Sequence, residues 1–169
     1  IFEELIYSYL IEQQNIREMY SRFTEVDENQ FIKNGQLDME KCLLKFQEVM
    51  YQEYRQEDEK FYETFGRLIF LAYLKPILNG KGFSFVEPET RERKRMDVVI
   101  TFGSQKFIVE LKIWSGEKNE EKGLNQLVNY LDIQKLDMGY MIIFSFNKKK
   151  EYKSQWHDVN SKRIFEVLV

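Results

Sequence analysis

Apolar residues recur at helical spacing from the start of the chain, with Phe2, Leu5, Ile6, Tyr9 and Leu10 followed by Ile16, Met19, Tyr20 and Phe23. A period near 3.6 residues brings such a set onto one helix face. A polar stretch from Glu25 to Gln30 interrupts it. A second helix is predicted to begin near Asp38, to carry Leu43, Phe46, Val49 and Met50 on one side, and to run into the charged Tyr51 to Lys60 region. From Phe61 to Leu78 the apolar positions almost encircle the helix, so Phe61, Phe65, Leu68, Ile69, Ala72, Ile77 and Leu78 all need cover, as in a helix buried against a sheet. Pro76 lacks an amide donor, and Asn79, Gly80 and Gly82 accept backbone angles a helix does not use, which predicts the helix end.

The period then shortens to two. A strand is expected at Phe83 to Glu87. Met96 to Phe102 and Lys106 to Ile113 are short, rich in β-branched and aromatic residues, and separated by Gly103 and Ser104, which predicts a hairpin. Alternate strand residues share a face. Phe107, Val109, Leu111 and Ile113 therefore point one way, and Ile108, Glu110 and Lys112 the other. Glu120 to Leu136 reads as a helix with Leu124, Leu127, Val128 and Leu131 as its apolar stripe, and Gln126 and Tyr130, four apart, lie together beside that stripe. Gly139 restarts the chain into Tyr140 to Phe146, an uninterrupted apolar run suited to a central strand covered on both faces. Ile164 to Val169 adds a last edge strand. This order gives an α/β fold, a mixed sheet flanked by helices. Length supports one substantial domain at residues 57–169 behind a helical appendage or linker region at 1–56.

Composition narrows the chemistry. With 43% hydrophobic and 31% charged residues the chain falls among ordinary globular proteins, and most of its aromatics are expected in the core. A net charge of −3 gives no overall attraction to polyanions, so a nucleic-acid partner has to rest on local charge. Arg91, Arg93, Lys94 and Arg95 form one basic run, and Lys148, Lys149, Lys150 and Lys153 another. Cys42 is the only cysteine and His157 the only histidine. Together they exclude an intrachain disulfide framework, cysteine zinc knuckles and the HExxH class. His157 is read as a surface or tail residue, and Trp114 is expected to pack at the sheet edge. Gly80-Lys81-Gly82 is too short for a phosphate loop and lacks its Ser or Thr. Neither a signal peptide nor an apolar stretch of transmembrane length is visible, so a cytoplasmic protein with no membrane partner is expected. The start at Ile1 and Phe2 suggests missing N-terminal sequence.

Any catalysis then runs on carboxylates and lysine. Asp97 opens one hairpin strand and Glu110-Leu111-Lys112 lies toward the end of its partner. The two carboxylates can converge on one Mg²⁺ or Mn²⁺, cations that prefer oxygen ligands, with the carbonyl of Leu111 as a third. Lys112 follows Glu110 by two strand rises, about 6–7 Å, and can orient or help deprotonate the attacking water and face a phosphate.

An aspartate on one strand of a hairpin and Glu-x-Lys on the next resembles the hallmark of the PD-(D/E)XK nuclease superfamily. Glu63, in Phe-Tyr-Glu-Thr-Phe, matches the glutamate that members carry in the preceding helix. Gln126 and Tyr130, in Gln-Leu-Val-Asn-Tyr, match a glutamine and an aromatic in the following one. The resemblance spans Asp58 to Asn147 and looks closest to nuclease-like domains attached behind AAA-type ATPases; Met96 replaces the family's proline. It implies a restriction-endonuclease-like fold, Mg²⁺- or Mn²⁺-dependent hydrolysis of DNA, and an AAA-type ATPase domain N-terminal to this segment in the full-length chain. Asp97, Glu110, Lys112, Gln126 and Glu63 would be the catalytic set. Arg91, Arg93, Arg95 and Tyr130 would contact nucleic acid. Each retains a plainer alternative: Glu63 as the helix partner of Arg67, Gln126 as a surface amide, and the arginines as solvated edge-strand charge. For the whole chain the alternatives are a nuclease-fold module that binds nucleic acid or protein without cutting, and a structural domain serving the ATPase.

Overall fold

The two side-chain periods of the chain settle the layers. The computed structural model describes residue 23 and residues 27–53, 63–86, 98–146 and 151–169. A 3-10 turn at Glu28–Gln30 leads into a two-stranded ribbon of β1 (Ile32–Lys33) and β2 (Gln36–Leu37), followed by helices α1 (Met39–Glu53) and α2 (Glu63–Leu78). Next come β3 (Gly82–Val86), β4 (Val98–Phe102), β5 (Gln105–Ile113), α3 (Glu117–Gln134), β6 (Met138–Phe144), β7 (Ser154–Val159) and β8 (Lys162–Leu168). Strands β3 to β8 form a six-stranded sheet in the order β3-β4-β5-β6-β8-β7. Pairing is antiparallel along β3-β4-β5 and between β8 and β7, and parallel across β5-β6-β8. The parallel step from β5 to β6 needs a crossover, and α3 supplies it.

Alternation sorts the strands' side chains onto two cores. Phe107, Val109 and Leu111 of β5 join Tyr140, Ile142, Phe144, Phe165 and Val167 under α1 and α2. Ile108 of β5 joins Met141, Ile143 and Ile164 under Leu124, Leu127, Val128 and Leu131 of α3. Phe46 ties the first core together, its ring centroid 5.2 Å from those of both Phe70 and Tyr73 and 6.5 Å from that of Phe144. On the second face Gly139 allows close approach, because a Cβ there would stand 2.8 Å from Leu131 Cδ1. Helices on both faces of a mixed sheet give the restriction-endonuclease-like α/β fold expected from the sequence. No helix among the described residues is long and apolar enough to cross a membrane.

The predicted hairpin forms with a two-residue connection between the paired Phe102 and Gln105, and Gly103 takes the positive φ of 56° that its first position requires in a type II′ turn. Helix α2 ends at Leu78, two residues beyond Pro76. Other boundaries differ. Helix α3 starts at Glu117 because Gly116, at φ 104°, serves as its N-cap, and it stops at Gln134 because Lys135 adopts the left-handed conformation. Lys135 and Leu136 donate back to Asp132 and Leu131, closing a Schellman-type end without glycine. Strand β8 is not an edge strand: β7, absent from the sequence reading, covers it through a turn in which Asn160 and Ser161 both have positive φ. The same reading missed the β1–β2 ribbon, whose turn is Asn34-Gly35.

Helix α1 belongs to the first core through Leu43, Phe46 and Val49, as does Phe23, edge-on to Tyr73 at 5.4 Å. The rest of the first helical stripe and the expected boundary between residues 56 and 57 lie outside the described residues. The Gln105 side-chain amide fastens the ribbon to the sheet, accepting from Leu37 N at 2.7 Å and donating to Leu37 O at 3.2 Å.

Replacing Phe46 by alanine should cost about 3–5 kcal/mol of unfolding free energy. Leu44→Ala, at a position 39% exposed on the same helix, should cost no more than about 0.5 kcal/mol. Urea titrations that gave equal losses would contradict the role of Phe46 as the core's junction.

Candidate active site

Glu110 and Lys112 stand two residues apart on β5 and point toward α3, among the apolar side chains of Ile108, Met141, Ile143 and the α3 stripe. Glu110 is 1% exposed and Lys112 8%. Burying either charge alone is costly. The Lys112 ammonium forms an ion pair with Glu110 Oε1 and donates to Gln126 Oε1 at 3.3 Å. Its stem passes beneath α3 because residue 123 is glycine: a Cβ there would lie 3.1 Å from Lys112 Cε and 3.5 Å from Met141 Sδ. Gly123 and Gln126 are three residues apart, so one face of α3 provides both the room for the lysine and the oxygen that receives it.

The structure therefore brings together Glu110, Lys112 and Gln126 of the expected set. The β4–β5 pairing ends at Val98 with Val109, and Glu110 and Leu111 follow next on β5. Asp97, Arg91, Arg93 and Arg95 lie outside the described residues, as does the side chain of Glu63, which opens α2. Leu111 turns its side chain into the opposite core. Tyr130, one turn beyond Gln126, is partly buried against the α3-side core. Trp114 is not at a sheet edge. It follows the interior strand β5, donates its amide to Phe144 O at 2.8 Å and packs against the α3-side core.

His157 is not a surface or tail residue either. It lies on β7 with its side chain 20% exposed, and its Nε2 is 3.1 Å from Oε2 of Glu166 on β8. Gln155 Nε2 donates to the other oxygen, Oε1, at 3.0 Å. Glu120 of α3 completes a cluster in which one potential ligand atom from each of the three residues lies within 4.8 Å of the others. Desolvation and the neighbouring Glu166 raise the pKa of the Glu120 carboxyl. The cluster borders a cleft of about 720 Å³ beside Trp114 and Leu124. Sequence reasoning missed it along with β7, although a glutamate inside the apolar run from Ile164 to Val169 was a usable signal of a buried charge.

The mixed sheet, its two helical layers and the buried Glu-x-Lys pair make this an α/β protein of restriction-endonuclease-like fold. A family model described as PD-(D/E)XK nuclease superfamily matches residues 83–155. The match supports that superfamily and points to a nuclease-type function. No curated protein and no solved structure matches the chain.

The buried pair has a thermodynamic signature. Lys112→Met should cost about 3–5 kcal/mol, since it removes the ammonium ion-paired with the buried Glu110 carboxylate. Adding Glu110→Gln should recover part of that loss. Chemical denaturation in chelator checks both, and independent, additive effects would mean that the two charges do not depend on each other.

Proposed function

We propose that this protein hydrolyses phosphodiester bonds in DNA with a divalent cation, and that Asp97, Glu110 and Lys112 carry the reaction. The supporting observation is the Glu110–Lys112 ion pair, held on one sheet face beneath Gln126. Asp97 directly precedes Val98 in the sequence, Val98 pairs with Val109, and Glu110 is the next residue on β5. The donors are two carboxylates and the Leu111 carbonyl, an all-oxygen set that fits Mg²⁺ or Mn²⁺. When bound, such a cation supplies Lewis-acid polarisation of the phosphate and an acidified water.

The chain's own groups do the remainder. Glu110, anchored in an interior strand, presents its carboxylate without reorganisation. Lys112 carries three donors on a flexible stem, so its ammonium can pass from Glu110 and Gln126 to the charge growing on the phosphoryl oxygens. Gln126 keeps that ammonium on the α3 side, and Tyr130 offers a ring one turn further on. Arg91, Arg93 and Arg95 supply phosphate contacts that fix the strand's position. Resemblance to nuclease-like domains behind AAA-type ATPases extends the proposal to an ATPase domain in the same full-length chain.

Linear, circular, single-stranded and branched DNA incubated with the protein in Mg²⁺ or Mn²⁺ tests this. Wild type should cut at least one form, Lys112→Ala should cut about 10²- to 10³-fold more slowly, and Asp97→Ala should lose both cleavage and cation binding. Variants are compared at a temperature where circular dichroism shows them folded. Undiminished cleavage by Lys112→Ala would remove that residue from the mechanism. Wild type that binds DNA but cuts no form of it would establish the non-catalytic module instead.

A further inference from the structure

The Glu120, His157 and Glu166 cluster is separate from the Glu110 site and from the chemistry proposed for it. Glu110 and Glu166 both pair with Met141, from opposite sides, so they occupy one row of the sheet two strands apart. Two interstrand spacings set their backbones about 9.5 Å apart, and the cleft beside the cluster is lined by Glu120, His157 and Glu166 but not by Glu110 or Lys112. We propose that Glu120, His157 and Glu166 form a second cation site, selective for a transition-metal dication such as Zn²⁺ over Mg²⁺. This inference does not depend on the nuclease reading.

Donor chemistry gives the selectivity. One imidazole nitrogen with two carboxylate oxygens suits Zn²⁺, whereas Mg²⁺ takes oxygen ligands and keeps much of its water. Geometry is close to what the ion requires. Neighbouring ligand atoms about 2.1 Å from a tetrahedral Zn²⁺ lie about 3.4 Å apart. His157 Nε2 and Glu166 Oε2 are already 3.1 Å apart, and all three donors fall within 4.8 Å. Partly buried Glu120, on the first turn of α3, needs only a side-chain adjustment to close the set.

Glu166 makes the strongest case. Its side chain is 5% exposed, and among the described residues its polar partners are the neutral amide of Gln155 and the imidazole of His157. The Gln155 bond holds Oε1 and leaves Oε2 facing His157, the outer-shell arrangement that orients a ligating carboxylate. Around it Glu117, Glu120, Glu121 and Glu151 line the cleft against Lys153, a balance of charge that a dication relieves. The cleft leaves a fourth position open to water or to a ligand. An ion there ties the first turn of α3 to the β7–β8 hairpin.

Calorimetric titration of chelator-treated protein with ZnCl₂ tests the site, using the Asp97→Asn variant to weaken the Glu110 site. One Zn²⁺ should still bind, and a long-range ¹H–¹⁵N spectrum should show the His157 Nε2 resonance moving with occupancy. His157→Ala and Glu120→Gln should each weaken binding about tenfold or more. Glu120→Gln, a change on the outer part of α3, guards against misfolding of the strand variant. Absence of Zn²⁺ binding to wild type, or wild-type affinity in both variants, would overturn the proposal. So would a stationary His157 resonance at saturation.

Discussion

Placing a carboxylate and an ammonium on a covered sheet face is the constraint around which this fold is arranged. Glu110 and Lys112 can be buried because each neutralises the other and because Gln126 receives the lysine from above. That solution needs three things at once. Strand alternation must put residues 110 and 112 on the same side, the crossover helix must pass directly over them, and residue 123 must lack a side chain where the lysine stem runs. Gly139 serves the same end, letting α3 settle on β6 beside its leucines.

The apolar half of the structure makes this arrangement stiff. Phe46, Phe70, Tyr73 and Phe144 lock α1 and α2 to the far side of the sheet, so β5 and β6 are covered from behind while α3 presses from the front. A charged group on an interior strand between two packed layers is held in a fixed place, the condition from which electrostatic preorganisation draws its strength. On the same face the first turn of α3 brings Glu120 to Glu166 and His157. One helix thus borders two polar constellations separated by Met141.

Much of this was legible in the sequence because period and face are local properties. Alternation along Lys106 to Ile113 put Glu110 and Lys112 on one side, and spacing put Gln126 beside the helix stripe. What the sequence left open depended on tertiary partners. Nothing local says that Gly123 is required by a lysine stem from another element, or that Lys135 will take the left-handed conformation to end α3. Strand β7 was missed because Ser154 to Val159 is polar and half exposed, with weak alternation, and with it went the environment of His157. The turns Asn34-Gly35 and Asn160-Ser161 carried signals that were available; the first is a strong hairpin dipeptide. The role of Gln105 as a clamp on Leu37 has no local signature at all.

A metal-dependent centre at this pair requires Glu110 to exchange its lysine for a hard cation. Carboxyl ¹³C resonances, followed through a Mg²⁺ titration in the presence of DNA carrying an uncleavable linkage, report this directly. Glu110 should shift saturably together with the Lys112 ε resonances, Asp97→Asn should abolish the change, and His157 should stay in place. A Glu110 carboxyl that does not move at saturating Mg²⁺ with DNA bound would contradict a metal-dependent nuclease centre at this pair.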